Sequence, residues 1–357
     1  MTKKYYLRPI QFIDSPQQHD CASARLAGGM LWFSAVELIT CDGAHKTRSI
    51  VPVTHACTLP DAAQSIYANL TSARAPLQMG ARIIRLVQPQ VMGILNLTPD
   101  SFSDGGKLGD DTDAATAAGV GLSACGAAII DVGGESTRPG APVVWEGDEI
   151  KRIVPAIEGL ARTGVAISVD TRKAAVMEAA LGAGASMIND VSALLYDDRS
   201  LSVAVNCDAP VVLMHAPSQS SDPHKGGDYF DVLFDVYDWL ETRVAAVEAA
   251  GIARSRIVID PGIGFGKSLS DNLTIINNLA LFHGIGCPIL FGASRKRMIG
   301  ALSNEADVDV RLGGSVFLAI KAIEQGVHIV RVHDVAETVQ AIHVWRGLRD
   351  AALTAAA

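Results

Sequence analysis

From about residue 90 onward, short apolar runs alternate eight times with longer amphipathic runs. The short runs predict strands at Val91–Leu95, Ala127–Val132, Val165–Val169, Ser186–Ile188, Pro210–Met214, Arg256–Ile259, Pro288–Phe291 and His328–Val332. The runs between them predict helices near 111–125, 148–162, 172–182, 199–206, 228–250, 269–283, 310–325 and 335–348. Eight strand–helix pairs in roughly 270 residues are typical of an α/β protein with a (β/α)8 TIM barrel, and this is the predicted fold.

An open, doubly wound parallel sheet is the alternative architecture. Such sheets usually have fewer strands and carry a glycine-rich dinucleotide turn after the first strand. No GxGxxG pattern follows Leu95, so the barrel is favoured.

The first 88 residues do not follow the repeat, and we expect them to form a small α+β extension. The segment LAGGMLWFSAVELIT (26–40) alternates like a strand after a Gly28-Gly29 turn, and a helix is predicted near 60–73. Residues 89–357 are predicted to form the catalytic domain. The pattern assigns the extension no role beyond packing against the barrel or a second subunit.

The composition argues against several classes of partner and site. The net charge is −8 and the pI is near 5.6, without a basic run, which disfavours nucleic acid and anionic membranes as main partners. The six cysteines are scattered without a CxxC pair, so free thiols in a reducing compartment are expected. No signal-like or membrane-spanning stretch is present, which predicts a cytoplasmic location.

Polar side chains stand at the ends of the predicted strands, and a barrel would gather them at one face. The residues expected to converge there are Asp131, Asp170, Asn189, Asp260 and Lys296. A single aspartate at a strand end is often only a helix cap, which is the interpretation for Asp190 and Asp334. A converging set is different, because burying so many polar groups without partners would cost several kcal/mol. A ligand is therefore expected to supply the partners.

The chemistry of that ligand follows from the donors and acceptors. Carboxylates can accept paired hydrogen bonds from a ring N–H and an amine, while a lysine can donate to a ring carbonyl. This set suits a 2-amino-4-oxo-pyrimidine, as in guanine or a pterin. At the rim, Asn96, Arg331 and His333 could hold an anion, and the Asn96 amide oxygen could be a Mg²⁺ ligand. The loops at 97–107 and 134–147 could close over the pocket.

These motifs together resemble the dihydropteroate synthase family. The matching segments, in order, are NLTPDSFSDGG (96–106), GGESTRPGA (133–141), SVDT (168–171), IND (188–190), DPGIGFGK (260–267), SRK (294–296) and RVHD (331–334). They cover about residues 89–345. The family condenses 7,8-dihydropterin pyrophosphate with p-aminobenzoate, giving 7,8-dihydropteroate and pyrophosphate, through an SN1-like loss of pyrophosphate.

The resemblance implies roles for individual residues. Pterin binding is implied for Asp131, Asp170, Asn189, Met214, Asp260 and Lys296. Pyrophosphate binding is implied for Asn96, Arg331 and His333, with Mg²⁺ near Asn96. The p-aminobenzoate wall is implied to contain Pro139, Gly264, Phe265, Lys296 and Arg297. Catalytic roles are implied for Thr137, Arg138, Asp170, Asp260 and Lys296. The family also implies a homodimer that acts on small molecules.

Two segments depart from the family pattern. Arg297 follows SRK where the family often has serine, and it could pair with the aminobenzoate carboxylate or point to solvent; we favour the pairing. Residues 214–228, MHAPSQSSDPHKGGD, stand where many members have MHMQG, and this loop has no assigned function. No insertion surrounds Gly264-Phe265 of the kind that marks sulfonamide-resistant relatives. The resemblance therefore implies that sulfonamides compete with p-aminobenzoate.

Three other functions remain as alternatives. A pterin-dependent methyltransferase would share the positions of Asp170, Asn189 and Asp260 but would not need SRK, RVH or the STRPG loop. A non-catalytic pterin-binding paralogue should have lost its pyrophosphate and loop residues, which are intact here. A phosphosugar barrel enzyme would have a glycine-rich phosphate loop after strands 7–8, whereas strand 8 here ends in charged residues.

Overall fold

The computed structural model describes residues 3–14, 16, 22–43, 45–98, 111–138, 140–218, 220 and 222–354. Its strands are β1 (Lys4–Ile13), β2 (Ala24–Arg25), β3 (Trp32–Asp42), β4 (His45–Pro52), β5 (Leu77–Met79), β6 (Arg82–Ile84), β7 (Gln90–Asn96), β8 (Ile129–Gly133), β9 (Ile167–Asp170), β10 (Met187–Asp190), β11 (Val211–Met214), β12 (Ile257–Asp260), β13 (Leu290–Phe291) and β14 (Ile329–Val332). Its α-helices are α1 (Asp61–Thr71), α2 (Thr112–Ala124), α3 (Glu146–Ala161), α4 (Ala174–Ala183), α5 (Ser200–Val205), α6 (Val232–Ala249), α7 (Leu269–Asn277), α8 (Arg297–Leu302), α9 (Leu312–Ile323) and α10 (Val335–Thr354).

Strands β7 to β14 form one parallel, eight-stranded sheet in the order β12-β11-β10-β9-β8-β7-β14-β13. A further parallel bridge joins Ile259 to Ile289, so the two ends of the sheet meet. Helices between successive strands cover its outside, which is why the strands are apolar on both faces. The predicted TIM barrel is confirmed.

An apolar layer fills the barrel at the amino-terminal ends of its strands. The strand side chains in this layer include Met92, Ile129, Met187, Val212, Val258, Leu290 and Ile329, all fully buried. The β5–β6 hairpin packs against them through Leu77, Met79 and Ile84. This layer closes the lower end of the barrel, so a polar ligand can approach only from the opposite end.

The other elements of the first 88 residues form an antiparallel sheet with α1 beside it. Strand β3 pairs with β1, β2 and β4. The predicted strand and helix of this segment correspond to β3 and α1, whereas β1 and β4 were not predicted. The sheet lies along α6, where the Tyr6 hydroxyl donates to both carboxylate oxygens of Asp238 at 3.0 and 3.1 Å. Lys46 pairs with Asp231 at the start of the same helix. The domain boundary at residue 88 stays a prediction.

Several helix boundaries differ from the predictions. Helix α6 begins at Val232 rather than 228, and α10 continues to Thr354 rather than ending at 348. Helix α4 begins at Ala174 instead of 172, since Lys173 is in an extended conformation, and the Ala174 N–H donates to the Asp197 carboxylate. The predicted 269–283 helix divides into α7 and a 3-10 segment, Leu279–Ile285. The short helix α8, directly after the SRK motif, was not predicted. Among the described residues, no helix has the length and apolarity needed to cross a membrane.

Candidate active site

The strand register places the predicted polar residues side by side at the carboxyl-terminal face of the barrel. Asn96 on β7 is opposite Gly133 on β8, which is opposite Asp170 on β9. Asp170 in turn is opposite Asn189 on β10. Four consecutive parallel strands therefore place residues at or next to their carboxyl ends along one edge of a common pocket.

The centre of this pocket is a hydrogen-bonded cluster around Asp131. Its Oδ2 accepts from Asn189 Nδ2 at 3.0 Å and from Arg331 Nε at 2.6 Å. Arg331 also donates through Nη2 to Asp170 Oδ2 at 2.6 Å. Within the described part of the chain, the buried Oδ1 of Asp131 has no hydrogen-bond partner. An unpaired carboxylate oxygen at a pocket floor is costly unless a ligand donates to it.

Burial and neighbouring charges set the protonation of the cluster. Burial raises the pKa of Asp170, while the Arg331 guanidinium opposes that shift. Burial likewise raises the pKa of Asp260, and the nearby Lys296 opposes it. Burial lowers the pKa of Arg331, but Asp131 and Asp170 outweigh burial and raise it. The cluster thus keeps Arg331 charged beside two carboxyl groups of raised pKa, Asp170 and Asp260, and beside the unpaired Oδ1 of Asp131.

Lys296 reaches the pocket from the residue before α8. Its Nζ donates to the carbonyl oxygen of Ile263 and lies 4.7 Å from the centroid of the Phe265 ring. Burial lowers the pKa of Lys296 to about 8, with Asp260 acting in the opposite direction. Gly264 has φ +82°, and a Cβ there would stand 3.0 Å from Lys296 Cδ. Glycine at this position therefore leaves room for the lysine stem.

The DPGIGFGK loop is held by a lysine that the sequence analysis did not assign. Lys267 Nζ donates to the carbonyl oxygens of Gly262 at 2.9 Å, Phe265 at 3.2 Å and His215 at 3.3 Å. It also lies 2.9 Å from His215 Nδ1. Burial lowers the pKa of Lys267 to about 7 and that of His215 to about 2. Lys267 therefore fixes the loop that carries Asp260 and Phe265. The sequence feature that could have indicated this role is a lysine at the end of a glycine-rich motif.

An apolar wall stands beside the polar cluster. Met214, Val191, Ala216 and Phe265 are buried against one another and apart from the main core. Met214 is opposite Asp260 in the register of β11 and β12, so the wall adjoins the carboxylates. The structure thus brings together the predicted pterin residues and part of the predicted aminobenzoate wall.

The predicted anion-binding residues are less closely grouped than the pterin residues. The Arg331 guanidinium faces Asp131 and Asp170. The His333 side chain contacts Ser294 instead, with Nδ1 at 3.0 Å from Ser294 Oγ. Burial, followed by the charges of Arg331 and Arg295, lowers the pKa of His333 to about 3. His333 is therefore neutral at physiological pH and can contribute an N–H or a lone pair, but no charge.

Buried ion pairs anchor the base of the 134–147 loop. Glu135 pairs with Arg172 at 3.3 Å and with Lys173 at 3.2 Å, and Lys173 also contacts Glu149 at 2.6 Å. Beyond this base, Thr137 is half-buried and Arg138 is exposed. Pro139 and residues 99–110 lie outside the described residues, so their predicted roles stay predictions.

Three other predicted residues have plain structural positions. Arg297 is exposed in the first turn of α8. Asp190 accepts hydrogen bonds from the backbone N–H groups of Ser192 and Leu194, and so supports a turn rather than capping a helix. Asp334 directly precedes α10, its carbonyl oxygen accepts from the Thr338 N–H, and its carboxylate pairs with Arg295. The predicted cap role was wrong for Asp190, whereas Asp334 does occupy the position before its helix.

A fold of eight parallel strands with a polar pocket at their carboxyl ends defines a TIM-barrel enzyme. Residues 92–333 match the family model described as pterin binding enzyme. The Escherichia coli (strain K12) dihydropteroate synthase is 46% identical over 260 residues, which span 72% of this chain and 91% of that relative.

Solved structures give the same result. The Xanthomonas albilineans dihydropteroate synthase with 4-aminobenzoic acid has a TM-score of 0.72 and 44% identity, over 78% of this chain and 99% of that one. The same protein in complex with 7,8-dihydropteroate has a TM-score of 0.69 and 43% identity, over 77% and 98%. The Yersinia pestis dihydropteroate synthase with a sulfonamide drug complex has a TM-score of 0.73 and 41% identity, over 77% and 99%.

The chain therefore belongs to the pterin-binding enzyme family, and within it to the dihydropteroate synthases.

Proposed function

We propose that this enzyme condenses 7,8-dihydropterin pyrophosphate with p-aminobenzoate to give 7,8-dihydropteroate and pyrophosphate. The observation that carries the proposal is the unpaired, fully buried Oδ1 of Asp131 at the centre of a cluster with Asn189 and Arg331. A pterin has a ring N–H and an amino group, and either can donate to this unpaired acceptor. The similar Xanthomonas albilineans dihydropteroate synthase has been solved with 7,8-dihydropteroate and with 4-aminobenzoic acid.

The pterin is proposed to lie across the ends of β8 to β12. Asp131, Asp170 and Asp260 would accept from its N–H groups, Asn189 would pair with a neighbouring edge of the ring, and Lys296 would donate to the ring carbonyl. Met214 supplies an apolar surface beside the ring, since it belongs to the wall next to Asp260. Deep carboxylates also favour the positive charge that develops on the pterin methylene as its C–O bond breaks.

Pyrophosphate is proposed to leave toward Arg331, His333 and Asn96. Arg331 can turn from the carboxylates to the leaving oxygens without changing its charge, and neutral His333 can donate one N–H. The amine of p-aminobenzoate is uncharged at neutral pH, so it attacks without a strong general base and loses its proton afterwards. The loop containing Thr137 and Arg138 would exclude water, which would otherwise capture the methylene cation.

Magnesium fits this arrangement through hard oxygen atoms. Asn96 Oδ1 and Asp170 Oδ2 both lie 3.6 Å from the point where a Gly133 Cβ would stand, so both border the same small space. Among the described residues no group of three His, Cys, Asp or Glu side chains forms a metal site. Mg²⁺ commonly binds through one or two protein oxygens plus substrate phosphates. When bound, it would be held by Asn96 and would neutralise charge on the pyrophosphate.

The second substrate is proposed to lie against Phe265, Gly264 and the stem of Lys296. Arg297 is exposed one residue beyond Lys296, where a guanidinium could meet a substrate carboxylate at the pocket mouth. Sulfonamides are expected to compete for this place. A homodimer and a cytoplasmic location are further parts of the proposal.

The test is an assay of pyrophosphate release by the purified protein, with Mg²⁺ and dihydropterin pyrophosphate, in the presence and absence of p-aminobenzoate. We expect release that depends on p-aminobenzoate, with dihydropteroate as the product detected by mass spectrometry. Pterin binding without release would contradict the proposal and favour a non-catalytic paralogue. Binding of methyltetrahydrofolate with methyl transfer would favour a methyltransferase.

A further inference from the structure

The loop after β11 contains a histidine that joins two active-site loops. His224 Nε2 lies 2.7 Å from the carbonyl oxygen of Thr137. A carbonyl oxygen only accepts, so Nε2 carries the proton and donates it. The imidazole also stacks on the Phe265 ring, with centroids 4.7 Å apart and an interplanar angle of 11°. One side chain thus contacts both the loop after β8 and the loop after β12.

The backbones of the loops after β11 and β12 approach each other closely beside His224. A Cβ on Gly227 would stand 1.9 Å from the carbonyl oxygen of Gly266. A Cβ on Gly266 would stand 2.2 Å from Pro217 Cγ and 3.1 Å from the His224 carbonyl oxygen. Direct contact between the two backbones therefore depends on glycine, and it sets the imidazole against Phe265.

A second contact ties the same loop to the base of the 134–147 loop. Arg172 Nη1 donates to the Ser220 carbonyl oxygen at 3.2 Å, and Arg172 Nε pairs with Glu135. His224 and Arg172 therefore hold the loop after β11 against the loop after β8 at two separate points. Of the two, only His224 also contacts the apolar wall.

We propose that His224 is a positioning residue for the second substrate: its imidazole fixes the Thr137 segment over the pocket and sets the Phe265 ring that the aromatic amine packs against. The proposal deepens the proposed function and rests on it. None of the hydrogen bonds described for Asp131, Asn189 or Asp260 involves His224. Loss of the imidazole should therefore weaken the second substrate selectively.

The kinetic test compares wild type with His224→Ala, His224→Phe and His224→Gln. Loss of a hydrogen bond and an aromatic contact together predicts a KM for p-aminobenzoate about tenfold higher in His224→Ala. The KM for dihydropterin pyrophosphate and kcat should stay within about twofold. His224→Phe keeps a ring for stacking and His224→Gln keeps an N–H donor, so each should recover part of the loss. His343→Ala, at an exposed site on α10, is the matched control.

A second readout does not depend on turnover. Hydrogen exchange of the peptide covering 134–147 should be faster in His224→Ala than in wild type and His343→Ala. Unchanged exchange there overturns the proposal, as does an unchanged KM for p-aminobenzoate. Equal increases in both KM values with a lower melting temperature also overturn it, because they indicate a general structural role. Inactive wild type would overturn the proposed function and, with it, the substrate role of His224. In that case the exchange result would still show whether His224 holds the loop after β8 in place.

Discussion

The strand-end pocket and the amino-terminal extension differ in how their polar groups are paired. In the pocket, Asp131 keeps a buried oxygen without a partner among the described residues. In the extension, Tyr6 and Lys4 both satisfy Asp238, and Lys46 satisfies Asp231. These pairs tie the extension to α6 and stabilise the fold, whereas the unpaired oxygen of Asp131 lies among the strand ends, where a ligand can donate to it.

Packing separates the two regions in the same way. Tyr6 of the extension lies 4.4 Å from Phe234 and 5.2 Å from Tyr237, both on α6, measured between ring centroids. These rings belong to the main core. The pocket wall around Met214 and Phe265 forms a separate apolar cluster. We therefore expect substitutions in the pocket to change activity and substitutions in the extension to change stability.

The largest expected effect is on Lys296. Lys296→Ala removes a partly buried cation that faces Phe265 and the Asp260 carboxyl, so kcat/KM should fall by roughly 100-fold or more, corresponding to about 3 kcal/mol of lost transition-state stabilisation. The measurement is aminobenzoate-dependent pyrophosphate release. Lys321→Ala, at a half-exposed position on α9, is the control and should keep full activity. Unchanged turnover in Lys296→Ala would remove Lys296 from the site.

The next effect concerns the geometry of Arg331. Arg331→Lys keeps the charge, but a single ammonium cannot donate to Asp131 and Asp170 in the observed fork, so kcat/KM should fall by roughly 10- to 100-fold. Steady-state kinetics measure this, with Arg199→Lys in the exposed pair with Glu178 as the control. Equal activity of Arg331→Lys and wild type would show that only the charge is used.

A smaller effect is expected from pH. The folded-state pKa of Lys296 is lowered to about 8, so the side chain is protonated below that pH and loses its proton as the pH rises through it. If the charged amine donates to the pterin carbonyl, kcat/KM should decline on the alkaline side with a midpoint near 8. Lys296→Arg should lose this alkaline decline, because a guanidinium stays charged. A flat profile for wild type between about pH 7 and 9.5 would contradict this role of Lys296.

The smallest effect on activity is expected in the extension. Tyr6→Ala removes a buried ring and should lower the free energy of unfolding by about 3 kcal/mol. Tyr6→Phe removes only the hydroxyl that donates to Asp238, at a cost of about 1 kcal/mol. Denaturant unfolding measures both, and kcat/KM should stay within about twofold in each variant. A large loss of activity in folded Tyr6→Phe would mean that the extension acts on the pocket.

The sequence allowed much of the pocket to be predicted because strand ends are local features. An apolar run that stops at Asp170 or Asp260 marks both a strand and the side chain at its end, and parallel pairing then brings these ends together. Lys267 and His224 were missed for a different reason. Their hydrogen-bond partners are backbone oxygens, in the same loop and the loop after β11 for Lys267 and in the loop after β8 for His224. A backbone oxygen leaves no trace in the pattern of side chains.

The extension shows the limit of periodicity as a guide. Strand β4 is largely exposed and so has no buried face that a period of two could reveal. The β5–β6 hairpin has strands of only three residues, yet it closes the lower end of the barrel. Short or exposed strands acquire their place from tertiary packing, which the sequence pattern does not record.

The most direct test of the account is the affinity of a pterin for wild type and for Asp131→Asn, measured by titration calorimetry with 6-hydroxymethylpterin. The substitution replaces one acceptor oxygen with an NH₂ group and removes the charge, at nearly constant volume. We predict that the dissociation constant rises by roughly 10- to 100-fold while the folded structure is retained, as judged by circular dichroism. An unchanged dissociation constant would contradict the claim that the unpaired oxygen of Asp131 exists to receive the pterin.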